Sequence, residues 1–584
     1  MLKKWQILPK VEAEFLDQFP EINNITLQLL YSRGFRTQKE IDEFLSPNYD
    51  TQVFDPYLFK DMDKAVTRLL EAIKKHEKIL VYGDYDADGV CSTTIIYMAL
   101  KSLGLDVDTY IPFRESEGYG LNKKIVQTFI KQNYNLIITV DCGISNIEEI
   151  ALLKENGIDT IITDHHQEPP KRPEAVAIIN PSLADSGYPF PSLCGAGVAY
   201  KFVQAIIYKL EEINSPIKLP QGFEKWLLDL VAIATIGDIV PLISENRVFV
   251  KYGLIVLEKS KNIGIRKLIE IVNNRSGKID TTYIGWRIVP RINAAGRIEH
   301  ASLAFNLLVA KNEEEAQKMT EILEENNKNR QKITENILNQ AMRQVEDVSD
   351  DDKILFVMGE KWTAGVVGLV AGRISDRYHR PVLAISNEGD PLSPKGSSEA
   401  SKYVGSGRSI PEFNITNALK ECKDYLHRFG GHSQACGFTV IGDDNFDKFK
   451  ELMIKLATEK LSGIELAPQL EIETEVKLLE INWELWEDLE KFEPFGEGNL
   501  KPLFAAYKLN IDGVQTVGND GKHLRVMVSQ DGGKVHKLIG FSFGDWCAKL
   551  KIGDKIDIVF ELDINEWNGN RELQLKIVDL KLSK

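Results

Sequence analysis

The chain has 584 residues, room for about four domains at roughly 150 residues each. It is 43% apolar and 27% charged, which excludes a disordered or collagen-like chain and allows a core large enough to need no disulfide staples. The net charge of −15, from 71 basic and 86 acidic side chains, argues by its sum against a nucleic-acid partner, but phosphate binding depends on a local patch, and acids gathered at one point suit metal ions.

No apolar run approaches the roughly 18 residues of a membrane span; the longest, Leu230 to Gly237, stops at Asp238. The opening MLKKWQILPKVEAEF has lysines but no apolar stretch, so no signal peptide is expected. The six cysteines form no C-x-x-C pair and read as reduced, buried thiols of a cytoplasmic protein with no membrane partner.

Residues 1–75 read as a helical segment with little chemistry. From residue 76 to about 300 the pattern is α/β. Apolar strands Ile79–Tyr82, Leu136–Val140 and Thr160–Thr163 alternate with helices Lys123–Gln132 and Asn146–Glu155, which predicts a parallel sheet. Arg297 to Met358 contains no Gly or Pro, and Ala316, Met319, Ile322, Leu323, Ile333, Ile337, Ala341 and Val345 recur at steps of three or four. This spacing predicts a long amphipathic helix or helical pair, centred on 301–350 and bridging two lobes.

A smaller α/β domain over 351–462 starts at the strand Ile354–Met358 and carries the Gly-rich pieces Gly396–Gly407 and Gly430–Gly437. The last part, 463–584, alternates at Leu524–Val528, Lys537–Phe541, Ile556–Ile564 and Leu573–Val578, with a hairpin signal at Asn568-Gly569. A small all-β barrel follows, with an OB-fold as one candidate.

The sharpest feature is where acids follow strands. Asp84, Asp86 and Asp88 follow the first strand, Asp141 the second, and Asp164-His165-His166 the third, while Asp238 ends the apolar run. Open α/β sheets bind ligands beyond the carboxyl ends of their strands. A lone Asp there is more often a helix cap or turn residue, as Asp106 and Asp159 are read. D-x-D-x-D-G is also an EF-hand opening, but no bidentate Glu stands at the twelfth position and a strand precedes it. So many carboxylates repel unless they share cations. Oxygen ligands with an imidazole suit Mn²⁺ or Mg²⁺, with Fe²⁺ or Zn²⁺ as alternatives. Two such ions about 3.5–4 Å apart serve phosphoester hydrolysis.

GDYDADG, VDCG, TDHH and IGDIVPL, in this order, resemble the four motifs of the DHH phosphoesterase superfamily. Further segments resemble its branch of single-strand-specific 5′→3′ DNA exonucleases: Ile111–Arg114 through Glu117–Leu121, Cys194–Ala199, Pro290–Arg297, Gly405–Ser409 and Gly430-Gly431-His432. The resemblance runs from about residue 60 to the C-terminus. It implies a parallel-sheet DHH domain joined by the long helix to a DHHA1-type accessory domain, followed by an OB-fold-like domain. It implies Asp86, Asp88, Asp141, His165 and Asp238 as ligands of two divalent cations, Mn²⁺ or Mg²⁺, with Asp141 as the bridge. Asp84 falls on a motif acid, and His166 matches the donor to the scissile phosphate. Arg114, Ser406 and Arg408 match residues that anchor a 5′-terminal phosphate. Arg291, Asn293, Arg297, Ser409 and His432 join them on the substrate side.

The chain departs from the family pattern in three places. Tyr82 stands where many members have a His, Thr363 replaces the His of a Trp-His-x-Gly motif, and Cys436 replaces the second Ala of a GGHxxAAG motif, a small-for-small change of little expected effect. Arg287, Arg291 and Arg297 with Trp286 suit a single strand, although Trp as core and Arg on a solvated face is an equal reading. Lys522, His523, Arg525, Trp567, Asn568 and Arg571 are candidates for an OB-type binding face. The expected substrate is single-stranded DNA, degraded to 5′-mononucleotides in repair and recombination by a monomeric enzyme. Helicases and single-strand-binding protein are compatible partners. Two other readings stand beside it: a DHH phosphodiesterase for short oligonucleotides or cyclic dinucleotides, and a non-catalytic DNA-binding scaffold.

Overall fold

The chain opens with a short strand, β1 (Lys4–Ile7), and three helices through Leu45 in a computed structural model that describes residues 3–114, 116–272, 278–349, 351–388, 401–518, 520–567 and 569–583. These first elements do not join the residues that follow them, as the expected 1–75 segment would. β1 pairs in parallel with β12 (Gln469–Ile472) far along the chain. Phe15, Phe19, Leu27, Leu30 and Phe44 pack into one core with Leu485, Phe492, Phe504 and Phe560. From Tyr49 onward the chain packs on the next domain, with Tyr49, Phe54, Tyr57 and Phe59 against its core and the helix Met62–Lys75 burying Met62, Val66 and Leu69 there. The physical reason is local: three short helices have too little apolar surface to form a core alone.

The second domain is built on strands β2 (Ile79–Gly83), β3 (Val107–Tyr110), β4 (Leu136–Val140), β5 (Asp159–Thr163) and β6 (Ala177–Ile179). They form one sheet in the order β3-β2-β4-β5-β6, every pair parallel. β2 and β4 are buried along their whole length, as the continuous apolar runs ILVYG and LIITV require of central parallel strands. After β2 the chain crosses to β3 on one side, and β4 then lies on the other. The gap between the ends of β2 and β4 is therefore the topological switch point, where such sheets open a crevice.

The Gly- and Pro-free stretch resolves into a short helix, Ser302–Leu308, and a 32-residue helix, Glu313–Gln344. Asn312 caps the latter by accepting from the Glu315 amide, and three glutamates fill its first turn beside the positive end of its dipole. Ala316 and Leu323 pack on the core of the parallel-sheet domain, Ile337 and Ala341 on the accessory domain, so one stripe serves two lobes.

The accessory domain holds β7 (Leu355–Glu360), β8 (Val382–Asn387), β9 (Lys402–Arg408), β10 (Arg428–His432) and β11 (Ala435–Ile441) in the order β10-β11-β9-β8-β7. The first part of the Gly396–Gly407 piece lies outside the described residues. After β12 and β13 (Thr474–Glu475) come β14 (Phe504–Val517), β15 (His523–Ser529), β16 (His536–Gly540), β17 (Lys555–Trp567) and β18 (Asn570–Leu582). They run β14-β15-β16-β18-β17, and β17 pairs back onto β14, closing a five-stranded barrel. β16 and β18 are parallel and the other pairs antiparallel. This is the Greek-key OB barrel. Asn568 of the hairpin signal lies outside the described residues.

Candidate metal centre and substrate cleft

The turn after β2 brings three acids to the switch point by three different backbone devices. Asp84 leaves the strand end and is buried. Asp86 caps the helix Ala87–Ser102, accepting from the Asp88 and Gly89 amides. Asp88 lies in that helix's first turn, and its two oxygens accept from the Gly195 and Ala196 amides at 2.6 and 2.7 Å. These amides open the helix Gly195–Glu212, so a helix N-terminus fixes an anionic side chain. Two glycines make the packing possible. A Cβ at Gly89 would stand 2.5 Å from the Asp84 carbonyl, and one at Gly195 2.6 Å from Asp141 Cβ.

Asp141 ends β4 with φ +59°, a left-handed turn that aims its carboxylate back over the sheet edge. His165 Nε2 lies 3.1 Å from Asp141 Oδ1 and 3.7 Å from both Asp88 Oδ2 and Asp238 Oδ2. Asp238 is delivered by the C-terminal end of the helix Leu228–Gly237 rather than by a strand. Residues far apart in the chain thus share one cage. Three ligand sets lie close enough to hold a cation: Asp88, His165 and Asp238; Asp84, Asp86 and Asp141; and Asp141, His165 and His166. Asp141 belongs to two of them.

The charges fit cations. Burial and the neighbouring carboxylates push Asp84 and Asp141 well above the usual carboxylate range, Asp88 up to about 6 and Asp238 up to about 8. Burial pushes His165 down to about 4, so at neutral pH its Nε2 offers a lone pair, as a ligand must. Asp84 Oδ1 and Asp141 Oδ1 are buried with no hydrogen-bond partner among the described residues. Buried carboxylate oxygens without donors are costly, and a divalent cation is the group that satisfies several at once.

His166 is set differently. Its Nδ1 lies 2.8 Å from Asp164 Oδ1 and 3.0 Å from Tyr119 Oη. Asp164 is fully buried and held below the usual range, because both histidine rings favour its charge and its oxygens also accept from the Ile144, His165 and His166 amides. The Asp164 carboxylate pushes His166 up to about 9, against the cost of burial. Tyr82 turns away from the cage: its hydroxyl donates to the Gly120 carbonyl at 2.8 Å and its ring packs on Tyr110 and Phe129. It is no substitute for a ligand histidine, whereas Asp84 lies close to Asp86 and Asp141. Thr363 precedes the helix Ala364–Tyr378 and its side chain makes no cap hydrogen bond.

A cleft of about 310 Å³ opens beside the cage, lined by Asp84, Tyr85, Asp86, Arg114, Tyr119, Asp141, His166, Gly237, Asp238, Asn293 and Arg297. Arg114 lies 4.9 Å from the Tyr85 ring. Burial, with the charges of Arg114, Arg330 and Arg408 nearby, pushes Arg297 down to about 9. Arg408 Nη1 stands 3.2 Å from Ser406 Oγ, and Arg408 also feels the Arg114 charge. Three guanidiniums and a hydroxyl therefore converge across two domains, where only an anion removes their repulsion.

Arg291, Asn293 and Ser409, also expected at the substrate, make hydrogen bonds within the protein. Arg291 pairs with Glu324 of the long helix at 2.7 Å and donates to the Arg287 carbonyl. Asn293 accepts from the Ala87 amide, so it holds the acid-bearing turn. Ser409 donates to the Phe413 carbonyl. His432 lies on the exposed edge strand β10, close enough for its charge to act on His165. Trp286 is 77% exposed, which excludes the core reading. On the barrel, His523 meets the half-exposed Phe541 ring at 5.2 Å, with Lys576 6.0 Å from the same ring. The Trp567 side chain and Asn568 lie outside the described residues.

A parallel sheet with an acid–histidine cage at its switch point, faced by a smaller domain that adds basic groups, defines a two-lobed DHH-type phosphoesterase. Three family models match in order: DHH family, N-terminal domain, over residues 78–235; DHHA1 domain over 351–459; and RecJ OB domain over 472–579. The single-stranded-DNA-specific exonuclease RecJ of Salmonella typhimurium is 32% identical, covering 99% of this chain and 100% of the relative, and that of Bacillus subtilis is 34% identical, covering 100% and 71%. The crystal structure of RecJ in complex with Mn²⁺ from Thermus thermophilus superposes with a TM-score of 0.82 at 28% identity, covering 100% of this chain and 80% of that one; its Mg²⁺ complex gives 0.76 at 26%, covering 100% and 79%. The chain belongs to the RecJ family.

Proposed function

We propose that this protein is a single-strand-specific DNA exonuclease that hydrolyses phosphodiester bonds from the 5′ end and releases 5′-mononucleotides. The observation that carries the reading is the cleft in which Arg114 and Arg297 stand beside the acid cage, with the charge of Arg408, itself beside Ser406, acting on Arg297 from the accessory domain. A terminal phosphate seated there leaves the next phosphodiester over the carboxylates, which sets both polarity and product length. Asp84, Asp86, Asp88, Asp141, His165 and Asp238 would hold two divalent cations, Mn²⁺ or Mg²⁺. Bound there, the pair supplies an activated water and charge stabilisation at the scissile phosphate.

The chain's own groups do the rest. His166 is an imidazolium at neutral pH: Nδ1–H is committed to Asp164, and Nε2–H is free to donate to a phosphate oxygen as its charge grows. Arg114 and Arg408 orient the terminal phosphate through guanidinium donors. Trp286 offers a stacking platform to bases outside the cleft, and the His523, Phe541 and Lys576 face of the barrel a second one. The intact cage speaks against a non-catalytic scaffold, and the barrel against a substrate of two to four nucleotides.

Among the described residues no helix is long and apolar enough to cross a membrane. The reading places the enzyme in the cytoplasm as a monomer that takes strands from helicases or single-strand-binding protein in repair and recombination. The deciding assay digests 5′- and 3′-labelled single and double strands with Mn²⁺, Mg²⁺ or EDTA. Mononucleotides released first from 5′-labelled single strands are expected; cleavage of di- to tetranucleotides with long strands untouched would overturn the reading.

A further inference from the structure

The turn that carries Asp238 into the cage is not held by the catalytic domain alone. Ile239, 69% exposed and β-branched, takes φ +58°, and Ser244 takes φ +48°. A β-branched residue in the left-handed region persists only where its surroundings over-determine it. The residues just after Ile239 are held by the loop that leads into the barrel domain. The Glu497 carbonyl accepts from the Leu242 amide at 2.7 Å. Gly496 and Gly498 lie flush on the turn: a Cβ at Gly496 would stand 2.6 Å from Leu242 Cδ1, and one at Gly498, itself at φ +69°, 2.9 Å from Pro241 Cβ.

The loop is in turn locked. Arg247 is buried, without an acidic partner at its guanidinium among the described residues, and donates to the carbonyls of Lys491, Phe492 and Glu493 at 2.8–2.9 Å and to that of Phe44 at 3.1 Å. Asn499 donates to the carbonyls of Phe492 and Pro494 and accepts from Arg33. Beside Arg247, Asn246 Nδ2 donates to the Pro241 carbonyl at 3.0 Å and to the Ser192 carbonyl at 2.6 Å. Ser192 begins the segment whose Leu193 backbone bonds the His165 ring and whose Gly195 and Ala196 amides hold Asp88. Asn246 therefore ties the Asp238 side of the cage to the Asp88 and His165 side.

We infer that the loop Glu493–Asn499, together with Asn246 and Arg247, is a positioning brace through which the C-terminal domain completes the metal cage. It touches no substrate and acts through Asp238 and His165. The inference rests on the metal reading above and extends it. An enzyme whose barrel domain is displaced has a loosened cage, so cleavage is coupled to correct seating of the domain that grips the strand.

The test compares the full-length wild type with Gly498→Ala, Asn246→Ser and Gly553→Ala. Gly553 has φ +92° in the same domain, with nothing within 4 Å of an added Cβ, so an alanine there strains the backbone without the contact. Mn²⁺ affinity is read by calorimetric titration and by electron paramagnetic resonance of bound Mn²⁺, alongside the half-saturating Mn²⁺ for cleavage, single-strand binding in EDTA and the unfolding midpoint. Groups that orient metal ligands change affinity by about 10- to 100-fold when altered. Gly498→Ala and Asn246→Ser are expected to weaken Mn²⁺ binding by about 10-fold or more at unchanged single-strand affinity, and Gly553→Ala to leave it unchanged. Wild-type Mn²⁺ affinity in both brace variants, or an equal loss in Gly553→Ala, overturns the brace alone. A wild type that binds no Mn²⁺ overturns the metal reading and the brace with it.

Discussion

The two adjacent histidines show how one sheet edge gives like residues opposite characters. His165 has only carboxylates that themselves resist ionisation around Nε2, and burial drives it to about 4; His166 leans on the ionised Asp164 and rises to about 9. The sign for catalysis follows. Below about 9 His166 keeps a proton on Nε2 for the phosphate. Above it the remaining proton stays on Nδ1 with Asp164, and Nε2 turns a lone pair toward an anion. The rate at saturating metal should therefore fall on the alkaline side near pH 9, and Asp164→Asn should move that limb to lower pH. A pH–rate profile with a flat wild-type plateau to about pH 10.5 would refute the assignment. His166→Gln should lower kcat by about 10²–10³ with Mn²⁺ binding retained, the usual loss for one preorganised donor. Asp141→Ala, which removes the acid common to two ligand sets, should abolish cleavage while circular dichroism stays native; full activity of that variant with Mn²⁺ would refute the cage.

At the level of elements, the acids at the ends of β2, β4 and β5 were legible because a strand followed by Asp is a local pattern and a parallel sheet gathers such ends. Asp238 was legible as a break in an apolar run and through the IGDIVPL motif, and it proved to end a helix. The amides that grip Asp88 carried little sequence signal: Cys194-Gly195-Ala196-Gly197 reads as a helix start, and nothing local says which acid it faces. The same limit hid the internal partners of Arg291, Asn293 and Ser409, since Glu324, Ala87 and Phe413 are brought to them by packing. Gly195→Ala should favour the helix intrinsically by up to ~1 kcal/mol, yet it places a methyl against Asp141. Loss of cleavage with unchanged far-ultraviolet dichroism is expected; retention of wild-type kcat would show that the close approach is dispensable.

Over the whole molecule, charge and connectivity dominate. Asp88 and Asp238 have folded-state values raised above the unfolded carboxylate range. At these acids the native protein binds protons more tightly than the unfolded chain, so their contribution to metal-free stability falls as pH rises from about 4 toward 8, while His165, held down at about 4, works against that fall only below its ordinary imidazole range. Calorimetry in EDTA should show the midpoint falling between about pH 5.5 and 8.5, and Mn²⁺ should raise it most at the alkaline end; a metal-free midpoint that climbs with pH would contradict the buried acid cluster. Connectivity gives a second expectation. Because Phe15, Leu30 and Phe44 pack with the barrel domain, a fragment of residues 1–462 should expose them and aggregate, whereas 47–462 should be the more soluble; light scattering of the two decides.

By itself the sequence determined the class of chemistry, because acids and histidines at strand ends are local features and each apolar run dictates its own strand or helix. It also determined the long bridging helix and the closing barrel, whose periodicities are written along consecutive residues. Only the tertiary structure decided that the helices before Leu45 belong with the barrel domain, which arginines line the cleft beside the acid cage, and that a loop leading into the barrel bonds the turn that follows Asp238. Those are contacts between segments hundreds of positions apart, where complementarity of shape and charge acts and no local pattern records it.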